Sequence, residues 1–215
     1  MTAAPGPRIA AVLLAAGESR RMGGIDKRRL TIDGVPLVRR WLALFAAAGI
    51  FDVVVVLGHA PERTAALLAG CVVRLVRNDA WAEGQQGSVL AGLRAVPAQA
   101  DGAMVVLCDL PLVDADDLRA LLARFSGRAA GVDVIVPVHD GQRGNPVLVS
   151  AAAIAQALAD PQGRGLRAFI DAHPERVQRV PVTHDHHTFD LDTPADIERL
   201  EQRLGKPVGR GDGPS

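Results

Sequence analysis

A chain of 215 residues fits one domain comfortably and two only tightly, so a single core is expected. Its 24 basic and 24 acidic residues balance, which excludes an overall electrostatic pull toward nucleic acid or an anionic membrane surface and requires any anionic ligand to be held locally. The apolar 48% is mostly Ala, Val and Leu, as suits a buried sheet under Ala-rich helices, and the two cysteines, Cys71 and Cys108, lie in strand-like runs without CxxC spacing, which argues against a disulfide scaffold or a zinc site and for a cytoplasmic protein.

Residues 1–7 carry no charged segment followed by a long apolar one, and no run reaches the roughly 18 apolar residues of a spanning helix, so no membrane association is expected. Ile9 to Leu14 reads as the first strand and Pro36 to Ala48 as the first helix. The unit repeats: Val53 to Leu57 before Pro61 to Ala69, Val72 to Val76 before Ser88 to Val96, and Ala103 to Leu107 before Ala115 to Phe125. Such continuous apolar strands imply burial on both faces, and right-handed crossovers then give an α/β fold, a three-layer α/β/α sandwich about a mainly parallel sheet. Strands at Asp133 to Pro137 and Asn145 to Val149 lie a hairpin apart, predicting an antiparallel excursion. Helices at Ala151 to Ala159 and Arg164 to Ala172, a strand at Arg176 to Val182 and a helix from Pro194 to Leu204 complete a domain over residues 8–204. The Gly/Pro-rich tail 205–215, like residues 1–7, reads as disordered.

Ligands of open α/β sheets gather beyond the carboxyl ends of the strands. After strand one stands Leu14-Ala-Ala-Gly-Glu-Ser-Arg-Arg-Met-Gly-Gly-Ile-Asp-Lys27, a loop with three glycines, two arginines and a lysine. Glycine lets backbone N–H groups curl around phosphate oxygens while Arg and Lys neutralise them, so the mixture points to phosphate binding. GxxxxGK[ST] spacing is absent, as is GxGxxG, which excludes a P-loop and disfavours an NAD-type dehydrogenase. Asp109, after the strand ending at Cys108, should emerge at the same edge, where a hard cation such as Mg²⁺ would take one or two carboxylates together with substrate phosphates. A second ligand should come from Asp190-Leu-Asp192, whose alternation puts both aspartates on one face. Ser88 is suited to cap the following helix, and Asp114 to cap the helix from Ala115. His184-Asp-His-His187 has poor spacing for one metal cluster, with His186 and His187 diverging on an extended strand, and reads as a solvated loop.

Leu14-Ala-Ala-Gly-x-Ser-x-Arg-Met-Gly-x-x-x-Lys27 resembles the signature of the molybdenum cofactor cytidylyltransferase-like (MobA/MocA-like) NTP transferase family, within the nucleotide-diphospho-sugar transferase-like fold. Cys108-Asp-Leu-Pro111, Gly144-Asn-Pro-Val147 and Asp190-Leu-Asp-Thr-Pro-Ala-Asp-Ile197 follow in the family's order, so the resemblance spans nearly the whole chain. It implies a nucleotidyltransferase with Mg²⁺, or Mn²⁺ in its place, at Asp109 and Asp192. The triphosphate would lie on Leu14, Ala15, Ala16, Gly17 and Ser19, with Arg21 and Lys27 as catalytic cations. Asn78, Gln86 and Ser88 would contact base and ribose, although the stretch 84–90 is poorer in Ser and Met than the family's. Ala16 resembles the cytidylyltransferases, which implies CTP, whereas Gly23-Gly24-Ile-Asp-Lys27 also resembles the guanylyltransferase loop. Asn145 stands where cytidylyltransferases commonly have His. The implied acceptor is the phosphate of molybdopterin or its molybdenum-loaded form, with a molybdoenzyme to receive the product; a non-catalytic module delivering cofactor to a partner enzyme is the competing class.

Overall fold

The computed structural model describes residues 6–160 and 162–211. Its first half is built of β1 (Ile9–Ala15), the small hairpin β2 (Thr31–Ile32) and β3 (Val35–Pro36), α1 (Leu37–Ala47), β4 (Val53–Leu57), α2 (Pro61–Leu67), β5 (Arg74–Arg77), α3 (Gln85–Arg94) and β6 (Gly102–Leu107). The second half adds α4 (Ala115–Ser126), β7 (Val134–His139), β8 (Gln142–Arg143), β9 (Val147–Ser150), α5 (Ala151–Ala159), α6 (Gly165–Ala172), β10 (Val177–Pro181) and α7 (Pro194–Leu204). Among the described residues the main sheet runs β10-β7-β9-β6-β1-β4-β5, with β8 paired to β7. β1 pairs in parallel with both β4 and β6. The expected antiparallel excursion is β9, which enters between β6 and β7.

Strand alternation sorts β1 between two cores. Ile9, Ala11 and Leu13 face Trp41 and Phe45 of α1, Leu118 and Phe125 of α4 and Ile197 and Leu200 of α7. Val12 and Leu14 face Val89 and Leu93 of α3, Ile154 of α5 and Phe169 of α6. These are the three layers that the apolar runs predict. Every β1 residue is buried, because both faces of a central strand are covered.

Three expectations fail on tertiary context. The strand expected at Val72–Val76 is β5, shifted toward Arg77 and lying at the sheet edge, where Val72 is 96% exposed. An edge strand has one neighbour and half the cover, so apolar content alone misjudges it. Helix α3 starts at Gln85 rather than Ser88: Gly84, at φ 131, closes the preceding turn, and Ser88 lies buried within the helix instead of capping it. The tail is also ordered as far as it is described. Gly205 ends α7 in a left-handed conformation, Val208 is buried, and Thr31 and Gly209 exchange both backbone bonds at 2.8 and 2.9 Å. The domain therefore extends past residue 204 through 211, while the expected disorder of residues 1–5 and 212–215 lies outside the described residues.

Candidate active site

The loop leaving β1 is held open by its own side chains. Ser19 adopts φ 58 and Gly23 and Gly24 φ 61 and 90, and the left-handed pair of glycines turns the chain back after Met22 is buried. Ser19 Oγ accepts the Lys27 backbone N–H at 3.3 Å. The principal anchor is Arg28, only 3% exposed. Its Nη1 donates to the carbonyls of Ala15 and His59 at 3.1 and 2.7 Å, while Nε and Nη2 each meet the Asp26 carboxylate at 2.7 Å. Arg28 thus ties the loop to the ends of β1 and β4. No motif marks Arg28 in the sequence; Asp26, two residues before it, is its one local signal.

Lys27 brings the two predicted carboxylates together. Its Nζ lies 3.0 Å from Asp109 Oδ2 and 2.6 Å from Asp192 Oδ1, and Arg21 Nη2 reaches Asp192 Oδ2 at 2.5 Å. Burial pulls the Lys27 ammonium down most strongly, yet Asp109 and Asp192 together outweigh it and hold its pKa above the ordinary lysine value. The second oxygen of Asp109, Oδ1, is buried with no partner among the described residues. A buried acceptor without a donor beside a second carboxylate fits a hard cation.

Backbone contacts position both aspartates. Trp41 Nε1 donates to the Cys108 carbonyl at 3.1 Å, and the Leu191 N–H to the Asp109 carbonyl at 3.0 Å, which fastens the 190–192 segment to the end of β6. Asp196 accepts the Asp192 and Thr193 N–H groups at 2.9 and 2.6 Å, so the start of α7 is capped without the Asp192 carboxylate. Asp192, rather than Asp190, is the one the basic side chains meet.

A cavity of about 240 Å³ opens over this cluster. Leu14, Ala15, Ala16, Gly17, Ser19, Lys27, Ser88 and Asp109 line it, as do Trp81 and Gln85, which the sequence reading did not single out. Trp81 packs its Cβ where Gly58 has none and meets the His59 ring edge-on at 5.2 Å. A lone indole after the third main-sheet strand of a chain with 3% aromatics was the missed signal. Asn78 stands behind the wall, its Nδ2 donating to Ser88 Oγ at 2.9 Å. Gln86 lines a neighbouring cavity of about 310 Å³ with Arg143, Gly144, Asn145 and Arg167, and the two cavities share Leu14, Gln85 and Leu107. Arg21 lines the outer mouth, together with Arg20, Lys27 and Asp192.

The 184–187 stretch departs from the solvated, divergent loop expected. It forms a short turn, His187 is 2% exposed, and three imidazoles converge on the buried carboxylate of Asp117. The Asp114 cap turned α4 so that Asp117 faces this turn, a contact that no local spacing reveals.

Among known proteins, the family model described as MobA-like NTP transferase domain matches residues 11–177. A molybdenum cofactor guanylyltransferase of Cereibacter sphaeroides is 33% identical over 200 residues, 93% of this chain and 98% of the relative. A probable molybdenum cofactor guanylyltransferase of Natronomonas pharaonis is 30% identical over 201 residues, 90% of this chain and 96% of the relative. A solved nucleotidyl transferase from Methanothermobacter thermautotroptrophicus superposes with a TM-score of 0.77 at 24% identity, covering 93% of this chain and 98% of that one.

Proposed function

The chain belongs to the MobA-like NTP transferase family and is a nucleotidyltransferase; from that premise we propose that it moves a nucleoside monophosphate from GTP to the phosphate of a molybdopterin-type acceptor, releasing pyrophosphate. The observation that carries the reading is Lys27 Nζ bridging Asp109, in the loop cavity, and Asp192, at its outer mouth. The acceptor phosphate oxygen forms a bond to the α-phosphorus as the bond to the β-phosphate oxygen breaks, and the electron pair leaves with pyrophosphate. Such transfers need positioning and charge neutralisation rather than a covalent nucleophile.

The amides of Ala15 to Gly17 and the Ser19 hydroxyl hold phosphate oxygens, and Lys27 and Arg21 balance charge that builds on the leaving pyrophosphate. Asp109 and Asp192 would hold Mg²⁺, or Mn²⁺ in its place, which supplies further neutralisation of the triphosphate. Trp81 offers an aromatic wall for the base, with the His59 ring packed edge-on against it. Gln85 stands between the nucleotide cavity and the neighbouring one, where Arg143 and Arg167 offer cations to an acceptor phosphate. The donor and acceptor cavities share Leu14, Gln85 and Leu107, which would set the two substrates side by side.

Full-length relatives named for guanylyl transfer favour GTP, whereas Ala16 favours CTP through its likeness to cytidylyltransferases. Pyrophosphate release from each of the four triphosphates, with Mg²⁺ and a molybdopterin source, separates them. GTP should give the highest acceptor-dependent kcat/KM; a CTP preference transfers the assignment to cytidylyl transfer, and release from none of the four leaves a non-catalytic binding module.

A further inference from the structure

The Asp117 cluster uses none of the residues that line the nucleotide cavity. Asp117 is buried in the first turn of α4, and its Oδ2 accepts the Asp114 N–H at 3.0 Å. That same oxygen lies 2.9 Å from His186 Nδ1, while Oδ1 lies 3.3 Å from His184 Nε2 and 3.7 Å from His187 Nε2. No Lys or Arg pairs with Asp117 among the described residues, since its ionic neighbours are all imidazoles.

The imidazoles themselves are poorly placed for a purely hydrogen-bonded cluster. The His184 and His186 ring centroids are 3.8 Å apart, so both rings protonated would repel. His184 Nδ1 is buried without a partner. His187 Nδ1 is 2.9 Å from the Asn145 carbonyl, which can only accept, so the neutral ring carries its proton there and turns a bare Nε2 toward a carboxylate oxygen. His187 is thereby spent on the backbone and stands off at 3.7 Å, which leaves His184 Nε2 and His186 Nδ1, at 3.3 and 2.9 Å, as the imidazole atoms gathered on the carboxylate.

One ligand atom each from Asp117, His184 and His186 lie within 4.8 Å of one another. Tetrahedral zinc with bonds of about 2.0–2.1 Å sets its ligand atoms about 3.3 Å apart; the carboxylate–imidazole separations of 3.3 and 2.9 Å stand near that value, and binding would draw the wider separations in. The short turn at Asp185–His187 supplies the convergence of His184 and His186 that an extended strand would not. Two imidazoles and a carboxylate select a borderline transition ion over Mg²⁺, which prefers all-oxygen sites.

We propose that Asp117, His184 and His186 form a second cation site, for a divalent ion of the zinc class, that clamps the Asp185–His187 turn onto the start of α4. The clamp also braces the acceptor side, because the His187 carbonyl accepts the Asn145 N–H at 2.9 Å and Asn145 lines the neighbouring cavity.

The test loads chelator-stripped full-length protein with Co²⁺, then Zn²⁺, in a large excess of Mg²⁺. One equivalent of Co²⁺ should bind with a visible d–d band, and Zn²⁺ should displace it. The double variant His184→Gln/His186→Gln, changed at partly exposed positions, should lose that band and bind Zn²⁺ more than about 100-fold more weakly. Asp109→Asn/Asp192→Asn should retain both. No stoichiometric uptake by the parent protein overturns the site, as does equal uptake by the histidine variant or loss of the band in the Asp109/Asp192 variant. If the histidine variant fails to fold, the parent protein decides alone: hyperfine-shifted imidazole N–H proton resonances in the NMR spectrum of its Co²⁺ form support the site, and their absence refutes it.

Discussion

Removing the Lys27 ammonium separates its two tasks. In the free protein Lys27 occupies the space between Asp109 and Asp192, with 13% of its side chain exposed against 23% and 28% for the two carboxylates. The pairing is thus more enclosed than a surface ion pair, worth up to about 1 kcal/mol, and less than a fully buried one, whose broken halves cost about 3–5 kcal/mol. Lys27→Ala should therefore destabilise the metal-free protein by about 2 kcal/mol, chiefly through two uncompensated carboxylates. A divalent cation must compete with the Lys27 charge for the same two carboxylates, so the variant should bind Mg²⁺ about tenfold more tightly, a gain of about 1.4 kcal/mol. Turnover should nonetheless fall about 100- to 1,000-fold, the loss typical of deleting one preorganised charge-stabilising group. Calorimetric Mg²⁺ titration, urea unfolding with and without Mg²⁺, and pyrophosphate release measure the three quantities. Unchanged turnover would refute the charge-stabilising role, and unchanged or weaker Mg²⁺ binding would refute the competition.

Two further substitutions probe the frame. A Cβ at Gly58 would stand 2.6 Å from the Ala16 carbonyl oxygen and from Trp81 Cβ; Gly58→Ala should cost about 1–3 kcal/mol by overpacking and raise the KM for the triphosphate more than it lowers kcat, and steady-state kinetics showing neither change would contradict the close approach. Burial would raise the Asp133 carboxyl, but hydrogen bonds from Ser150 and Arg176, with Arg176 Nη2 at 2.6 Å, hold it below the ordinary range. A depressed folded-state pKa stabilises above about pH 3.9 and is lost as pH falls through the folded value. Asp133→Asn should thus lose about 1–3 kcal/mol at pH 7 in urea unfolding and show a flatter decline between pH 4 and acid, and parallel acid limbs for variant and parent would exclude it.

Central strands were legible because both faces of β1, β4 and β6 are covered, so burial writes itself into continuous apolar runs. The same logic explains the error at β5, which borrows its apolar content without the second neighbour. The tail shows the converse. Its Gly/Pro content reads as disorder, yet one Val208 side chain is buried and Gly209 comes so close to Thr31 Oγ1 that a Cβ would stand at 2.2 Å. There the absent side chain is the structural feature, and composition has no means of registering it.

Within the proposed site, Lys27 and Asp109 were legible from their place at the ligand edge of the sheet, whereas the residue pattern left Asp190 and Asp192 open and only the family resemblance favoured Asp192. Arg28 and Trp81 were not legible, because their roles depend on partners 13 to 31 residues away for Arg28 and on a glycine contact for Trp81. The difference has a physical meaning. Groups proposed to meet a triphosphate line the ligand edge of the sheet and must be charged or small to serve there, which leaves a mark in residue type. Groups that hold the loop satisfy backbone carbonyls at the ends of two strands, and any such pairing is visible only once β1 and β4 lie side by side. Arg28 illustrates the cost: leaving the Ala15 and His59 carbonyls and the Asp26 carboxylate without their donor would loosen the loop before Lys27 could reach either aspartate. The loop proposed to hold phosphate is therefore preorganised by the buried Arg28, and the role proposed for Lys27 rests on it.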